Sequence, residues 1–142
     1  MSWIFPRFIG GLGAVTLLLV RLVVGAAFIM HGWPKFQAPF NWMGENSDIP
    51  GLLQFMAAAT EVGGGGLLIL GALTPLVALM LGVVMLVAAL FHLGNGDPFV
   101  STSGGSYELA LVYLAISLQF IFIGPGKLSV DYLVFGRRRP VE

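Results

Sequence analysis

Five residues that could move protons or hold a small ligand stand at the ends of apolar runs. His31 has Lys35 one helical turn beyond it, His92 closes a later run, and Tyr107 and Glu108 open the last one. Imidazole changes charge near neutral pH, and a carboxylate beside it can pass a proton on. If the helices gather His31, His92 and Glu108, they form a proton-transfer group or a site for a small-molecule head group, with Lys35 and Tyr107 as ligand-binding residues. Lys35 would then balance an anion. A metal is the weaker expectation, because two histidines lack the usual accompanying ligands. A plainer reading stands beside these: His and Tyr favour membrane interfaces, and Glu108 suits a helix N-terminus by its charge.

A second pair of residues lies deeper. Glu61 is the single charged residue between positions 49 and 96, and Arg21 interrupts an equally apolar segment upstream. An ionisable group at membrane depth is costly and marks either a structural pair or a functional site.

These residues must be positioned by a membrane-embedded scaffold. The 142 residues are 57% apolar and 10% charged, which separates the chain from soluble domains. Basic and acidic residues balance at seven each, so no overall field favours nucleic acid. The sequence has no cysteine, which removes disulfides, thiol relays and thiolate metal sites from consideration. Four apolar runs, at about 9–33, 50–74, 75–93 and 107–123, each approach the ~20 residues a spanning helix needs. The expected fold is therefore all-α: an integral membrane four-helix bundle running up-down-up-down, in one domain over 1–142. The first run is read as a retained helix and not a signal peptide, since Arg21 splits its apolar stretch.

The connections support this topology. Thr74-Pro75 joins the second and third runs with almost no loop, and Thr74 is expected to cap the helix that Pro75 begins. Two longer polar connections share the opposite side. Arg7, Lys127, Arg137, Arg138 and Arg139 fall on the side of the termini and only Lys35 on the other, so both termini are expected in the cytoplasm. Gly124-Pro125-Gly126 should stop the fourth helix and leave an interfacial tail over 124–142.

Counting from the expected helix ends puts Arg21 and Glu61 each about 10 residues from the loop side, roughly 15 Å deep. Opposite charges at one level in adjacent antiparallel helices are expected to pair, as a lock for the bundle or a grip for a ligand head group. Gly25, Phe28 and Gly32 share the face of Arg21, and Gln54, Ala57, Ala58, Gly65 and Ala72 share that of Glu61. Such small residues permit close helix packing, or leave room for a flat ligand.

The pattern Arg21-x3-Gly25-x2-Phe28-x2-His31-Gly32-x2-Lys35, followed by Glu61-x-Gly63-Gly64, Gly71-x2-Thr74, Tyr107-Glu108 and Gly124-Pro125-Gly126-x2-Ser129-x-Asp131, resembles the DoxX family of small membrane proteins. The resemblance spans nearly the whole chain. It implies four transmembrane helices and a link to membrane oxidoreductases, the family being named for its likeness to a thiosulfate:quinone oxidoreductase subunit. By position it singles out Arg21, Gly32, Lys35, Glu61, Gly64, Glu108, Gly126 and Asp131, without saying which are catalytic.

Three functions follow as expectations. The first is a quinone-linked oxidoreductase subunit of the inner membrane, taking a quinone as cofactor and a small reductant such as a sulfur oxyanion. In that reading His31, His92 and Glu108 relay protons, and electrons arrive directly from the reductant or through another subunit. The second is a binding or transport protein for an apolar or amphiphilic small molecule, with Arg21 and Glu61 at its polar end and a homo-oligomer needed for transport. The third is a structural anchor that holds a soluble oxidoreductase at the lipid bilayer through Arg137, Arg138, Arg139 and the longer loops.

Overall fold

A computed structural model describes residues 8–136. Arg7 and the Arg137, Arg138, Arg139 run lie outside the described residues. The protein is an all-helical membrane bundle. Its elements are α1 (Gly11–Gln37), α2 (Gly51–Leu70), α3 (Thr74–Gly94), α4 (Glu108–Ile123) and a short α5 (Val130–Phe135). Helices α1, α2 and α3 are long and apolar enough to cross a membrane, while α4 is equally greasy but only 16 residues long. At 1.5 Å per residue α4 spans about 24 Å, somewhat less than a typical hydrocarbon core.

Glycine sets the closest helix contact. Gly25 on α1 and Gly65 on α2 meet so tightly that a Cβ added to either would come within 2.6–2.7 Å of the other's carbonyl oxygen. With no driving force from water inside a bilayer, helices associate through such close packing, and a methyl group here would push the backbones apart. Gly64 seats Leu81 of α3, and Gly82 of α3 faces Ser117 of α4. Phe28, Leu68, Leu81 and Phe120 are fully buried at the centre. Leucines and valines cover the outside of α1 to α4, a surface suited to acyl chains.

The α2–α3 turn differs in detail from the sequence-based expectation. Helix α2 ends in a Schellman arrangement, with Ala72 N–H donating to the Leu67 carbonyl and Gly71 N–H to that of Leu68 while Gly71 takes φ +65°. Leu73 follows with φ +50°, an uncommon conformation for a leucine. Thr74 does not cap α3. It is the helix's first residue, and the capping acceptor is Asp131, whose Oδ1 takes the N–H of Leu73 at 2.7 Å and whose Oδ2 takes that of Thr74 at 2.8 Å. A carboxylate there satisfies orphan amides and complements the helix dipole.

Asp131 reaches that position because Gly124-Pro125-Gly126 ends α4 and turns the chain back. Gly124 and Gly126 adopt φ +79° and +80°, which side-chain-bearing residues rarely allow. Lys127 N–H then donates to the Ile9 carbonyl, and Asp131 N–H to that of Gly71, each at 2.9 Å. Ser129 caps α5 by accepting from Tyr132 N–H, while its own hydroxyl donates to the Gly126 carbonyl. The returning segment is thereby tied to the ends of α1, α2 and α3.

Candidate functional site

The deep charges do not pair with each other. Lys35 Nζ donates to Glu61 Oε1 at 2.6 Å and to Oε2 at 2.8 Å, forming a forked ion pair between α1 and α2. Arg21 is fully buried at the other end of the bundle, donating through Nη2 to the Leu128 carbonyl and lying within electrostatic reach of Asp131. Helix register explains the correction. With Gly25 opposite Gly65 and Gly32 against Glu61, Arg21 falls opposite Gly71, ten residues or about 15 Å from Glu61.

Depth counting failed because the two helices do not end at one level. Helix α1 continues through Pro34 to Gln37, past the expected end at Trp33, so Arg21 lies further from the loop side than counted. Helix α2 in turn begins about 7 Å beyond the end of α1. The connecting segment folds over this step, held by Gln54. The buried Gln54 side chain accepts from Met43 N–H and donates to the Ile49 carbonyl, and its main-chain oxygen accepts from the Trp42 indole.

This clasp completes a polar site at the mouth of the bundle. Trp42 presents its ring to Lys35 Nζ at 4.9 Å, a cation–π distance. The Glu61 side chain is 2% exposed and that of Lys35 28%, so the carboxylate is sealed while the ammonium retains a route outward. His31 lies one turn before Lys35, with its ring 6.3 Å from that of Tyr113 on α4. Tyr113 also packs against Phe28 at 4.9 Å. Lys35, Glu61, Trp42, His31 and Tyr113 therefore share one end of the molecule.

The expected His31, His92 and Glu108 group is not assembled as a ligand cluster. Among the described residues no three His, Asp or Glu side chains converge as metal ligands. His92 Nδ1 instead meets Asp97 Oδ2 at 2.7 Å, which ties the end of α3 to the following loop. Glu108 occupies the first turn of α4, where its N–H donates to the Phe99 carbonyl. Tyr107 precedes it, with its ring 5.4 Å from Phe99 and packed against the core. Lys35 is already neutralised by Glu61, so an incoming anion would have to compete with that carboxylate.

Sequence reading missed Trp42, Tyr113 and Asp97 as participants and placed Asp131 only by resemblance. The tryptophan inside a polar connection was the available sign for Trp42, since indoles favour interfaces and buried ones seek an acceptor. Tyr113 carries no such sign within its apolar run.

The glycine run divides between two faces of α2. Gly64 and Gly65 are buried in helix contacts, whereas a Cβ on Gly63 or Gly66 would meet nothing within 4 Å. Gly63 and Gly64 line an apolar groove of about 300 Å³ between α2 and α3, together with Met56, Thr60 and Val77. The groove opens on the opposite side of α2 from Glu61.

The sequence matches a known family. The DoxX family model covers residues 16–94, which hold Arg21, Lys35, Glu61 and both histidines. The chain belongs to the DoxX family. A Haemophilus influenzae protein is 37% identical over 84% of this chain and 90% of its own length. The Escherichia coli inner membrane protein YqjF is 30% identical over 84% of this chain and 92% of its own. CatD of Bacillus subtilis, whose name provisionally assigns it as an oxidoreductase, is 28% identical over 85% and 88%. No solved structure matches the chain. The DoxX match extends through α3 and stops before Glu108 and Asp131.

Proposed function

We propose that this DoxX protein is an inner-membrane subunit of a quinone-linked oxidoreductase, with the forked Lys35–Glu61 pair as the polar end of its site. That pair is the observation that carries the reading. A sealed carboxylate and a partly accessible ammonium, bonded to each other at the mouth of the bundle, form a built-in proton donor and acceptor. The oxidoreductase name of CatD points the same way.

The residues suit a quinone head group. Lys35 Nζ has three N–H donors and uses two on Glu61, which leaves one for a carbonyl oxygen. The Trp42 ring supplies a flat aromatic surface beside it. A bound quinone supplies a two-electron, two-proton acceptor. Lys35 donates a hydrogen bond that orients the carbonyl, and a proton leaving Nζ is replaced from the loop side, where His31 lies one turn away. Glu61 holds the ammonium in place between turnovers, and the Gln54 clasp keeps Trp42 over it. Electrons come from a small reductant such as a sulfur oxyanion, or from a partner subunit.

The termini face the cytoplasm in this reading. Lys35 is the single lysine or arginine between Arg21 and Lys127, and its charge is taken up by Glu61. The remaining positive charges outside the bundle then lie on the side of the termini.

The almost wholly apolar α2–α3 groove favours a second reading, a binding protein for an apolar small molecule without turnover. One experiment separates the two. Native extraction followed by mass spectrometry of bound ligands is expected to find a quinone, and quinol formation is expected to fall at least tenfold in Lys35→Met while Met56→Phe, which fills the groove, leaves it unchanged. A retained apolar ligand that is lost in Met56→Phe and kept in Lys35→Met would support the second reading and overturn the first.

A further inference from the structure

The connection between α1 and α2 is tied to the bundle without taking part in its core. Every residue from Trp33 to Leu53 is exposed or half-buried, so this stretch can move while the helices stay packed. Its own turns hold it together: Asn41 N–H donates to the Ala38 carbonyl, Gly44 N–H to that of Asn41, and Ile49 N–H to the Ser47 hydroxyl. The two ends of residues 41–50 also meet. A Cβ on Gly51 would come within 2.7 Å of the Phe40 carbonyl oxygen, and the Phe40 ring stacks on Phe55 of α2 at 5.4 Å. A compact loop with a closed base can swing as a unit about that base.

Above the base, three hydrogen bonds reach α2, and each ends on Gln54. The Trp42 indole donates to its main-chain oxygen, Met43 N–H donates to Oε1, and Nε2 donates to the Ile49 carbonyl. Lifting the loop turns all of these groups over to water, so each bond adds little net free energy to the closed form. What the loop covers is the ion pair. Trp42 stands 4.9 Å over Lys35 Nζ, and the Glu61 side chain beneath is 2% exposed. That gap is too narrow for a ligand ring, which needs about 3.5 Å on each of its two faces. Indole and ammonium must part before a flat head group can lie between them.

We propose that residues 41–50 form a flap over the Lys35–Glu61 pair, which lifts about the Phe40–Gly51 base to admit a flat head group and closes with Trp42 on the ring. The proposal rests on the reading of that pair as the ligand site. Gln54 is the latch, a positioning residue that sets how often the flap is open. Closure also shields the bound head group from water on the loop side.

The test uses the full-length protein in phosphatidylcholine nanodiscs, carrying Trp3→Phe and Trp33→Phe so that Trp42 is the sole tryptophan. Hydrogen exchange is compared with and without Gln54→Leu. Residues 41–50 are expected to exchange about tenfold faster in that variant, the factor expected from losing two hydrogen bonds, while 22–32 and 56–69 keep their native rates. Equal acceleration in the helices, or none in 41–50, would overturn the flap. Rapid mixing with ubiquinone-0, a quinone head group without a tail, then reads entry through quenching of Trp42. The rate is expected to level off with concentration in the native protein, at the rate of flap opening, and to keep rising in Gln54→Leu. A rate proportional to concentration in both proteins overturns the gate and leaves the Lys35 site standing. Complete absence of quenching overturns the Lys35 site and the gate with it.

Discussion

The two ends of the bundle handle buried charge in opposite ways. At the loop end Lys35 and Glu61 satisfy each other, side chain to side chain. At the end of the termini Arg21 and Asp131 are spent on the backbone: the guanidinium donates to the Leu128 carbonyl and the carboxylate caps α3. The first arrangement leaves an ammonium with a spare donor near the surface, which suits chemistry. The second fixes chain segments against one another, which suits structure. Two further Arg21 nitrogens, Nε and Nη1, and the Thr74 hydroxyl there have no hydrogen-bond partner among the described residues, so that end tolerates little additional loss.

The contrast is broken most forcefully at Asp131. Asp131→Ala removes both caps of α3 and the carboxylate nearest Arg21, and is expected to destabilise the protein by about 3–5 kcal/mol, measured by thermal unfolding in detergent. Asp131→Asn, which keeps one acceptor, should fall between this variant and the native chain.

Lys35→Met should cost about 2–4 kcal/mol by leaving Glu61 sealed and unpaired, and Lys35→Met/Glu61→Leu should recover much of that loss. A cycle combining Arg21→Met with Glu61→Gln should be additive within about 0.5 kcal/mol, since those residues share no contact. Coupling well above that value would restore an Arg21–Glu61 pair and overturn the register described here.

That register rests on the glycine contact, so Gly65→Ala is expected to cost about 1–3 kcal/mol through overpacking against Gly25. Gln54→Leu should cost about 1–2 kcal/mol by leaving Met43 N–H and the Ile49 carbonyl without their partner. Its more telling readout is tryptophan fluorescence, which should move to longer wavelength as Trp42 leaves Lys35. The smallest effect is expected at Gly63→Ala, within about 0.5 kcal/mol, because that side faces open groove. A large loss at Gly63 with none at Gly65 would place the helix contact on the wrong face of α2.

Much of the scaffold was legible in the residues because membrane constraints act locally. Apolar runs of spanning length, the Thr74-Pro75 hinge and the Gly124-Pro125-Gly126 stop lead to the helices of the bundle and their order. The DoxX pattern likewise drew attention to Lys35, Glu61 and Asp131 together. Their partners were not legible. Assigning Glu61 to Arg21 required both helices to end at one level, yet α1 runs through Pro34 and α2 starts beyond it, a relation no local pattern encodes. Tyr113 approaches His31 only through the packing of α4 against α1.

From its sequence alone the protein is a helical membrane bundle with a few costly charges, because hydropathy and turn chemistry depend on each segment by itself. Which charge meets which was decided by tertiary structure. Close approach at Gly25 and Gly65 sets the register of α1 and α2, and the return of the chain after Gly126 delivers Asp131 to α3. The outcome turns on distances of a few ångströms between segments far apart in sequence, and only the packed bundle determines them.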